Sequence, residues 1–484
     1  MHGQMCLSLW LGLLSTTATA ADVFAHFMVQ NSYSYNQTTW EHDMQSASSV
    51  GIDGFALNWV PPQCNSVDPK KDLSWQLDRI NNAYDAAETQ DFKLFLSFDM
   101  SYGMGTGNCP TNAAWTEKYM ASVVANHSSS SAAYKWNGDD LVTTYAGDDY
   151  GNAFFQDLKT QLKASGVSAA VAPAFTQMAY AAQNEDPEEQ INDWATTFGA
   201  LDGFFNWQSW PLNVAKNSTA AVDVALQSAL KGAGKTGPYI MGISPWQFKD
   251  LNDGNKMDSW VMYSDYLFND RWSAAVNTVH PDIIEIQTWN DWGESHYIRD
   301  QPANWESGPA SAQLGDMEAY VNNTSHSPWR IITNYYATWY KTGSPPPISE
   351  DQVVYWYRRH PKTASCSGGN IRNADLVSDA VFAWALVQDT ANITMTAGSN
   401  SLWTFEADGS GPKMGMVPFP DDLGDGVIPE ITISRGDEHI SGNMSVQITG
   451  DCEYMNFNPV VGLVGNGDKI KLRNQVLKYT KVSA

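Results

Sequence analysis

Through the first two thirds of the chain, hydrophobic residues come in short runs rich in β-branched and aromatic side chains. Between the runs, apolar positions recur every three or four residues. The runs are VFAHFMV from Val23, GFALNWV from Gly54, KLFLSFDM from Lys93, LVTTYAG from Leu141, VAPAF from Val171, GFFNW from Gly203, YIMGIS from Tyr239 and IIEIQTW from Ile283. They start 30 to 48 residues apart, which is room for one strand, one loop and one helix each. Eight such units in series predict an α/β fold, a closed parallel (β/α)8 TIM barrel, and no glycine-rich phosphate fingerprint follows the first run.

The helical stretches carry their own punctuation. Thr38-x-x-Glu41 reads as a capping box, with Gly51 terminating that helix. Asp186-Pro187 reads as a cap and first-turn proline ahead of Ile191, Trp194 and Phe198, and Phe154, Leu158 and Leu162 keep helical spacing up to Gly166. WRIITNYYATWYKTG supplies the eighth helix, and the proline-rich SPPPISED after it reads as a hinge. Beyond the hinge, QVVYWYRR, ITMTAG, SLWTFEA, ITISRG and MSVQITG are short β-like runs between Gly, Asn and Asp turns, the pattern of a β-sandwich. NADLVSDAVFAWALV is the one candidate helix among them. The expected organisation is a leader over 1–20, a catalytic barrel over 21–344, a linker over 345–350 and a C-terminal β-sandwich domain over 351–484.

The leader reading rests on an apolar run from Cys6 to Leu14, followed by Ala18 and Ala20 in the A-x-A spacing of a secretory cleavage site. A secreted chain agrees with Cys64, Cys109, Cys366 and Cys452, an even number left after cleavage, and with sequons at Asn36, Asn126, Asn217, Asn322, Asn323, Asn392 and Asn443. A formal charge of −25 disfavours nucleic acid and anionic membrane as partners. A neutral ligand fits better, and 20 tryptophans with 21 tyrosines supply the flat apolar faces that sugar rings stack on.

Barrel active sites form at the C-terminal ends of the strands. There the sequence delivers His26, Asn58, Asp99, Tyr145, Asn206, Trp207 and Trp246, and the last strand delivers Trp289, Asn290, Asp291, Trp292, Glu294, His296 and Tyr297. Two histidines near the rim are few for a zinc hydrolase, and neither H-E-x-x-H nor a G-x-S-x-G elbow occurs, so no metal or cofactor is expected. Paired carboxylates remain. Acetal hydrolysis needs one protonated acid at the leaving oxygen and a second carboxylate that attacks carbon or activates water, and Asp291 with Glu294 supplies such a pair. An isolated Asp-x-x-Glu beyond a strand is more often a cap or a surface charge; the flanking Trp289 and Trp292 shift that balance by walling a low-dielectric site. Extended chain would hold the two acids about 10 Å apart on opposite faces. A turn at Gly293 lets both point inward. Asp148 and Asp149 read as caps of the next helix, and Glu285 as a polar residue pointing into the barrel.

VFAHFMVQNSYSY, GIDGFALNW, LFLSFDMS and QTWNDWGESHYI, in this order, resemble glycoside hydrolase family 71, the fungal α-1,3-glucanases or mutanases. The resemblance implies an inverting, metal-independent hydrolase of α-1,3-glucan whose catalytic pair is Asp291 and Glu294. Rigidity at the strand end suggests Asp291 as the base and Glu294 as the acid. The chain is expected to act as a monomer, and the alternative class is a secreted glucan-binding protein that holds polymer without cutting it. In the C-terminal domain Trp403 or Trp356 could touch glucan, or the domain could serve as a prop. Cys64 and Cys109 fall in neighbouring rim loops and Cys366 and Cys452 in the β-domain, so a non-reducing peptide map should join Cys64 to Cys109 and Cys366 to Cys452. A Cys64–Cys366 peptide would refute that pairing.

Overall fold

The computed structural model describes residues 22–61, 74–101, 115–178, 192, 194–250, 259–300, 317–322, 324–366, 371–399 and 401–465. The leader, Cys64, Cys109, Asn323 and the Asp186-Pro187 cap lie outside them. The strands of the N-terminal part are β1 (Asp22–Met28), β2 (Gly54–Trp59), β3 (Lys93–Asp99), β4 (Lys135–Trp136), β5 (Asp139–Tyr145), β6 (Ala169–Val171), β7 (Phe204–Asn206), β8 (Tyr239–Ile243), β9 (Phe248–Asp250), β10 (Ser259–Val261) and β11 (Ile283–Ile286). Each of the eight apolar runs overlaps one strand of a curled parallel sheet, VAPAF only at Val171, and the sheet order β6-β5-β3-β2-β1-β11-β8-β7 gives a mixed α/β fold. The short β4, which the periodicity does not reveal, pairs antiparallel with β5. At the two ends of the sheet, Gly203 N donates to Val171 O (3.2 Å) and Phe205 N to Pro173 O (3.0 Å). Pro173 has no N–H to extend a ladder, yet its carbonyl still accepts.

Alternation along the strands sorts the side chains. One set (Phe24, Ala56, Phe95, Leu141, Phe205, Ile240, Ile283) packs into a single apolar cluster on the concave side, while Val23, Phe55, Leu94 and Ile284 join the large core under the helices. Gly54 makes room for this layer, because a Cβ there would stand 2.2 Å from Lys93 O and 2.3 Å from the Phe24 ring. Two residues further along the same strand faces the side chains turn polar: His26, Asn58, Ser97, Thr143 and Glu285, all buried.

The first helix runs Gln37–Ser48 and is capped by Asn36, whose Oδ1 accepts from Thr39 N (3.0 Å). Thr38 therefore lies inside the helix and forms no capping box, since the Asn carboxamide sits one turn-start earlier and takes the role. Asp148 and Asp149 form a 3-10 turn before the helix Gly151–Ala164 and donate no cap to it. The eighth helix is Trp329–Thr342, ended by Gly343 at φ 73°. None of the helices in the described residues is long and apolar enough to cross a membrane.

Beyond it come β12 (Gln352–Tyr357), β13 (Ala380–Leu386), β14 (Ala391–Ala397), β15 (Leu402–Ala407), β16 (Lys413–Pro418), β17 (Pro429–Arg435), β18 (Glu438–Gly442) and β19 (Val460–Gly465). They form two four-stranded antiparallel sheets, β16-β13-β12-β19 and β15-β14-β17-β18, with one apolar cluster drawn from both. The stretch read as a possible helix is instead a turn segment followed by β13, which is buried on both faces. Val381, Ala383 and Ala385 point into the shared cluster, while Phe382 and Trp384 meet Tyr266 and Tyr335 at ring distances of 5.4 and 5.7 Å. A strand covered on both sides reads as a continuous apolar run and loses the alternation that would reveal it. MSVQITG contributes only an isolated bridge, Ile448 to Val427. Cys366 and Cys452 form a disulfide, as expected. The sequon asparagines 36, 126, 217, 322, 392 and 443 are exposed.

One buried carboxylate ties the first helix to the chain after β11. Asp43 Oδ2 accepts from Arg299 Nε (2.6 Å), Tyr35 OH (2.8 Å) and Trp289 Nε1 (3.1 Å). Burial alone would raise its pKa; the Arg299 charge and the hydrogen bonds from His42, Arg299 and Tyr35 outweigh it and bring it to about 2. A pKa depressed on folding adds stability above the unfolded value near 3.9 and loses it as pH falls through the folded value. Asp43→Asn should therefore lower stability by about 3 kcal/mol at neutral pH. Urea unfolding from pH 7 to pH 2 should show the gap between wild type and variant narrowing below about pH 4; a gap independent of pH would contradict the role given to Asp43.

Candidate active site

Strand β11 ends at Ile286, and the chain then turns back on itself. Thr288 N donates to His296 O (2.8 Å), Ile298 N to Thr288 O (3.1 Å) and Arg299 N to Trp289 O (2.9 Å), so residues 290–295 form the tip of a tied loop. Asn290 fastens the tip to β1: its Oδ1 accepts from Met28 N (2.7 Å) and its Nδ2 donates to Met28 O (3.1 Å). Asp291 N donates to Thr288 Oγ1 (2.7 Å) and Glu294 N to Asp291 Oδ1 (3.1 Å). A Cβ at Gly293 would stand 2.7 Å from Met317 Sδ and 3.4 Å from Asp291 Oδ1, so a larger residue would have to displace the Met317 side chain, while the left-handed residue of the loop is Ser295 at φ 61°.

This brings Asp291 and Glu294 together. With His296 they offer three ligand-type atoms within 4.8 Å of one another, the one such His and carboxylate cluster among the described residues. His296 Nε2 stands 3.2 Å from Glu294 Oε2 and 3.9 Å from Asp291 Oδ2. A cation could sit among these atoms only by competing with groups already on Glu294: Gln247 Nε2 donates to its Oε2 (2.9 Å), and Lys249 Nζ lies 3.7 Å from its Oε1.

The two carboxyls differ electrically although both are half-buried. For Asp291, burial raises the pKa and the Glu294 charge adds to the rise, against the lowering influence of His296. For Glu294, burial also raises it, but the His296 hydrogen bond, the charges of Lys249 and His296 and the Gln247 hydrogen bond overcome that and bring it to about 2. Asp99, at the end of β3, is pushed to about 6, chiefly by burial and against hydrogen bonds from Ser101, with the Glu294 charge contributing. A carboxyl whose proton affinity is raised beside one that stays ionised is the division that acid/base catalysis needs.

His26 and Glu285 meet deeper in, His26 Nδ1 lying 2.6 Å from Glu285 Oε1, as expected for an inward-pointing Glu285. Asn58 Nδ2, Ser97 Oγ, Thr143 Oγ1 and Glu285 Oε2 are buried and have no hydrogen-bond partner among the described residues. Trp207 lines the cleft beside them, with ring centroids 4.7 Å from His26, 5.0 Å from Tyr145 and 6.4 Å from His296.

Several residues expected to touch sugar are turned elsewhere. Trp289 is fully buried and spends its N–H on Asp43; Trp246 is buried and donates to Phe457 O (3.0 Å); Trp292 packs edge-on against Tyr297, itself buried with its OH on Thr324 O (2.5 Å). Asn206 donates to Asp223 Oδ1 (2.8 Å), joining the buried Asp223–Arg271 ion pair. These side chains build the frame of the site, because an aromatic run just past the strand ends sits where helices and loops cover it. In the C-terminal part Trp356 is buried, donating to Asp265 O, whereas Trp403 is 52 % exposed.

Gln247, Lys249, Trp210 and Trp260 were not picked out from the sequence. Trp210 lies over His296 at 5.6 Å, and Lys249 over the half-buried Trp260 at 4.6 Å. The signal was present in SPWQFKD, where polar and aromatic residues alternate just past a strand end.

The profile of glycosyl hydrolase family 71 matches residues 19–473. A glucan endo-1,3-alpha-glucosidase of Schizosaccharomyces pombe is 30% identical over 94% of this chain and 97% of its own length. A mutanase of Penicillium rubens is 32% identical over 94% of this chain and 91% of its own. An ascus wall endo-1,3-alpha-glucanase of Schizosaccharomyces pombe is 26% identical over 75% of this chain and 77% of its own. A match over nearly the whole length, through every strand that frames Asp291 and Glu294, makes this chain a member of glycosyl hydrolase family 71.

Proposed function

We propose that this chain is a secreted glycoside hydrolase that cleaves α-1,3-glucosidic bonds inside α-1,3-glucan, with Asp291 as general acid and Glu294 as base. The observation that carries the reading is the pair itself: two carboxyls at the C-terminal end of the last strand, adjacent, one whose pKa burial raises and the other held ionised by His296, Lys249 and Gln247. This reverses the division suggested by rigidity, since proton affinity, not stiffness, decides which group can donate. The substrate is taken from what the relatives are named for, and a neutral polymer suits an acidic protein. The ascus wall relative and the leader-like N-terminus support an extracellular or cell-wall location.

The same reading takes the curled sheet as a (β/α)8 barrel joined through the β6 and β7 hydrogen bonds, and the two antiparallel sheets as a β-sandwich domain starting near residue 351. Trp207, Tyr145 and His26 line the floor for a sugar ring, and the partly exposed Trp260 stands beside Lys249 at its edge.

The resemblance implies inversion. An inverting pair leaves about 6.5–9.5 Å between carboxyls for water, and a retaining pair about 5–5.5 Å. Asp291 and Glu294 present oxygens within 4.8 Å, so inversion by this pair requires bound glucan to part them. The first product seen by NMR should then be the β-anomer; an α-anomer would assign the close pair to retention.

Asp291→Asn and Glu294→Gln should each lower turnover on α-1,3-glucan at least about a hundredfold with folding intact. Wild-type activity in either purified variant would overturn the assignment, and a wild type that binds glucan but releases no reducing sugar would make the protein a glucan-binding one. In the pH–rate profile, activity should fall toward acid as Glu294 takes up a proton near pH 2 and fall toward base as Asp291 loses the proton that burial helps it keep.

A further inference from the structure

Strand β9 has two working faces. Along 246–250, Trp246, Phe248 and Asp250 point to one side and Gln247 and Lys249 to the other, the period-two alternation of extended chain. Gln247 and Lys249 meet Glu294. The three residues on the opposite side meet one segment of the C-terminal part, residues 454–459. Trp246 Nε1 donates to Phe457 O (3.0 Å), the Phe248 and Phe457 rings are 5.7 Å apart, and Tyr454 OH donates to Asp250 Oδ2.

The same segment reaches the back of the catalytic loop. Asn456 Nδ2 and Asn458 Nδ2 both donate to Tyr320 O (3.1 and 3.0 Å), and Tyr320 OH donates to Gly293 O (2.7 Å) between the two acids. Asn458 Nδ2 also donates to Tyr297 OH (3.2 Å). His326 stacks on Tyr297 at 4.0 Å, with its ring nitrogens 3.1 Å from Tyr297 O and 3.0 Å from Pro459 O. Asn456, Phe457 and Asn458 are themselves buried. The segment is fixed at both ends, by the Cys366–Cys452 disulfide before it and by β19, paired with β12, after it.

We propose that residues 454–459 are positioning residues of the active site: from behind, they press Gln247 and Lys249 onto Glu294 and hold the Gly293 turn through Tyr320. The C-terminal part is on this account a structural half of the catalytic centre and not a separable appendage. The proposal rests on Glu294 being the ionised partner of the pair. Glu294 is faced by His296 and Asp291 from its own loop, by Gln247 and Lys249 from the 246–250 stretch, by Asp99 from β3 and by Tyr320 from behind. Loosening the segment withdraws Gln247 and Lys249 from that set and leaves the acidic neighbours, so the Glu294 carboxyl should hold its proton more tightly.

The test uses the full-length chain carrying Asn458→Ala, with Tyr454→Phe, which removes a single hydroxyl, as the gentler variant should the first fail to fold. Steady-state kinetics on α-1,3-glucan oligomers should show kcat falling about tenfold with KM changed less than about twofold, as expected when reacting groups are misplaced but subsites are not. The ¹³C-carboxyl NMR titration of Glu294 should shift to higher pH in the variant. Unchanged kcat and an unchanged Glu294 titration in a folded variant would overturn the proposal, as would a loss of activity that only follows the unfolded fraction by circular dichroism. The titration reports placement without turnover. If Glu294→Gln proves fully active while Asn458→Ala still shifts the wild-type Glu294 titration, the catalytic assignment fails and the positioning stands.

Discussion

The side chain of Asp43 holds both ends of the loop on which the chemistry is placed. It reaches from the first helix to Trp289, where the loop leaves the last strand, and to Arg299, where it departs. A single buried carboxylate so constrained fixes the spacing of residues 289–299 against the sheet, and the short ladder between Thr288 and His296 does the rest. Buried charges are costly unless paired and hydrogen-bonded; here Arg299, Tyr35 and Trp289 supply three partners, which is what allows an ion in that position. Without it the rim would offer two acidic side chains on a slack turn, and neither their separation nor their neighbours would be defined.

Within that frame the division of labour follows from local charge. Both acids lose hydration, which favours the neutral form of each. Both feel the charges of His296 and Lys249, but Glu294 also receives side-chain hydrogen bonds from His296 and Gln247, and the charge it keeps then discourages ionisation of Asp291. The placement of His296, Lys249 and Gln247 around Glu294 thus keeps that group ionised, and its charge adds to the burial that raises the pKa of Asp291. Asp99 adds a third buried acid to the same cleft, near enough to be affected by Glu294.

The strands were legible because parallel strands covered on both faces read as short apolar runs between turn residues, and all eight runs overlap strands of the sheet. The loop carrying Asp291 and Glu294 was legible for a different reason: its place at the C-terminal end of the last apolar run, where barrel active sites form, set apart a carboxylate pair that elsewhere reads as a cap or a surface charge. The tryptophans were misleading. Trp246, Trp289 and Trp292 have the composition of a sugar platform, but a large ring with one N–H also suits a buried corner with one acceptor, and Asp43 and Phe457 O provide those acceptors. Asn290 and Asn206 were read as ligands to substrate because strand-end amides point to the rim; their partners, Met28 and Asp223, are distant in sequence and so invisible to spacing. Lys249 was missed for the same reason, since its significance comes from a contact with Glu294 across 45 positions. β13 shows the limit of periodicity itself, since a strand buried on both faces has no polar side to mark its period.

The central claim is that Asp291 delivers a proton and Glu294 does not. It is tested most directly with an α-1,3-linked glucooligosaccharide bearing fluoride at its reducing end, a leaving group that departs without protonation. Asp291→Asn should hydrolyse this fluoride at close to the wild-type rate while failing on glucan, and Glu294→Gln should fail on both. The opposite pattern, with Glu294→Gln rescued by fluoride and Asp291→Asn not, would contradict the account.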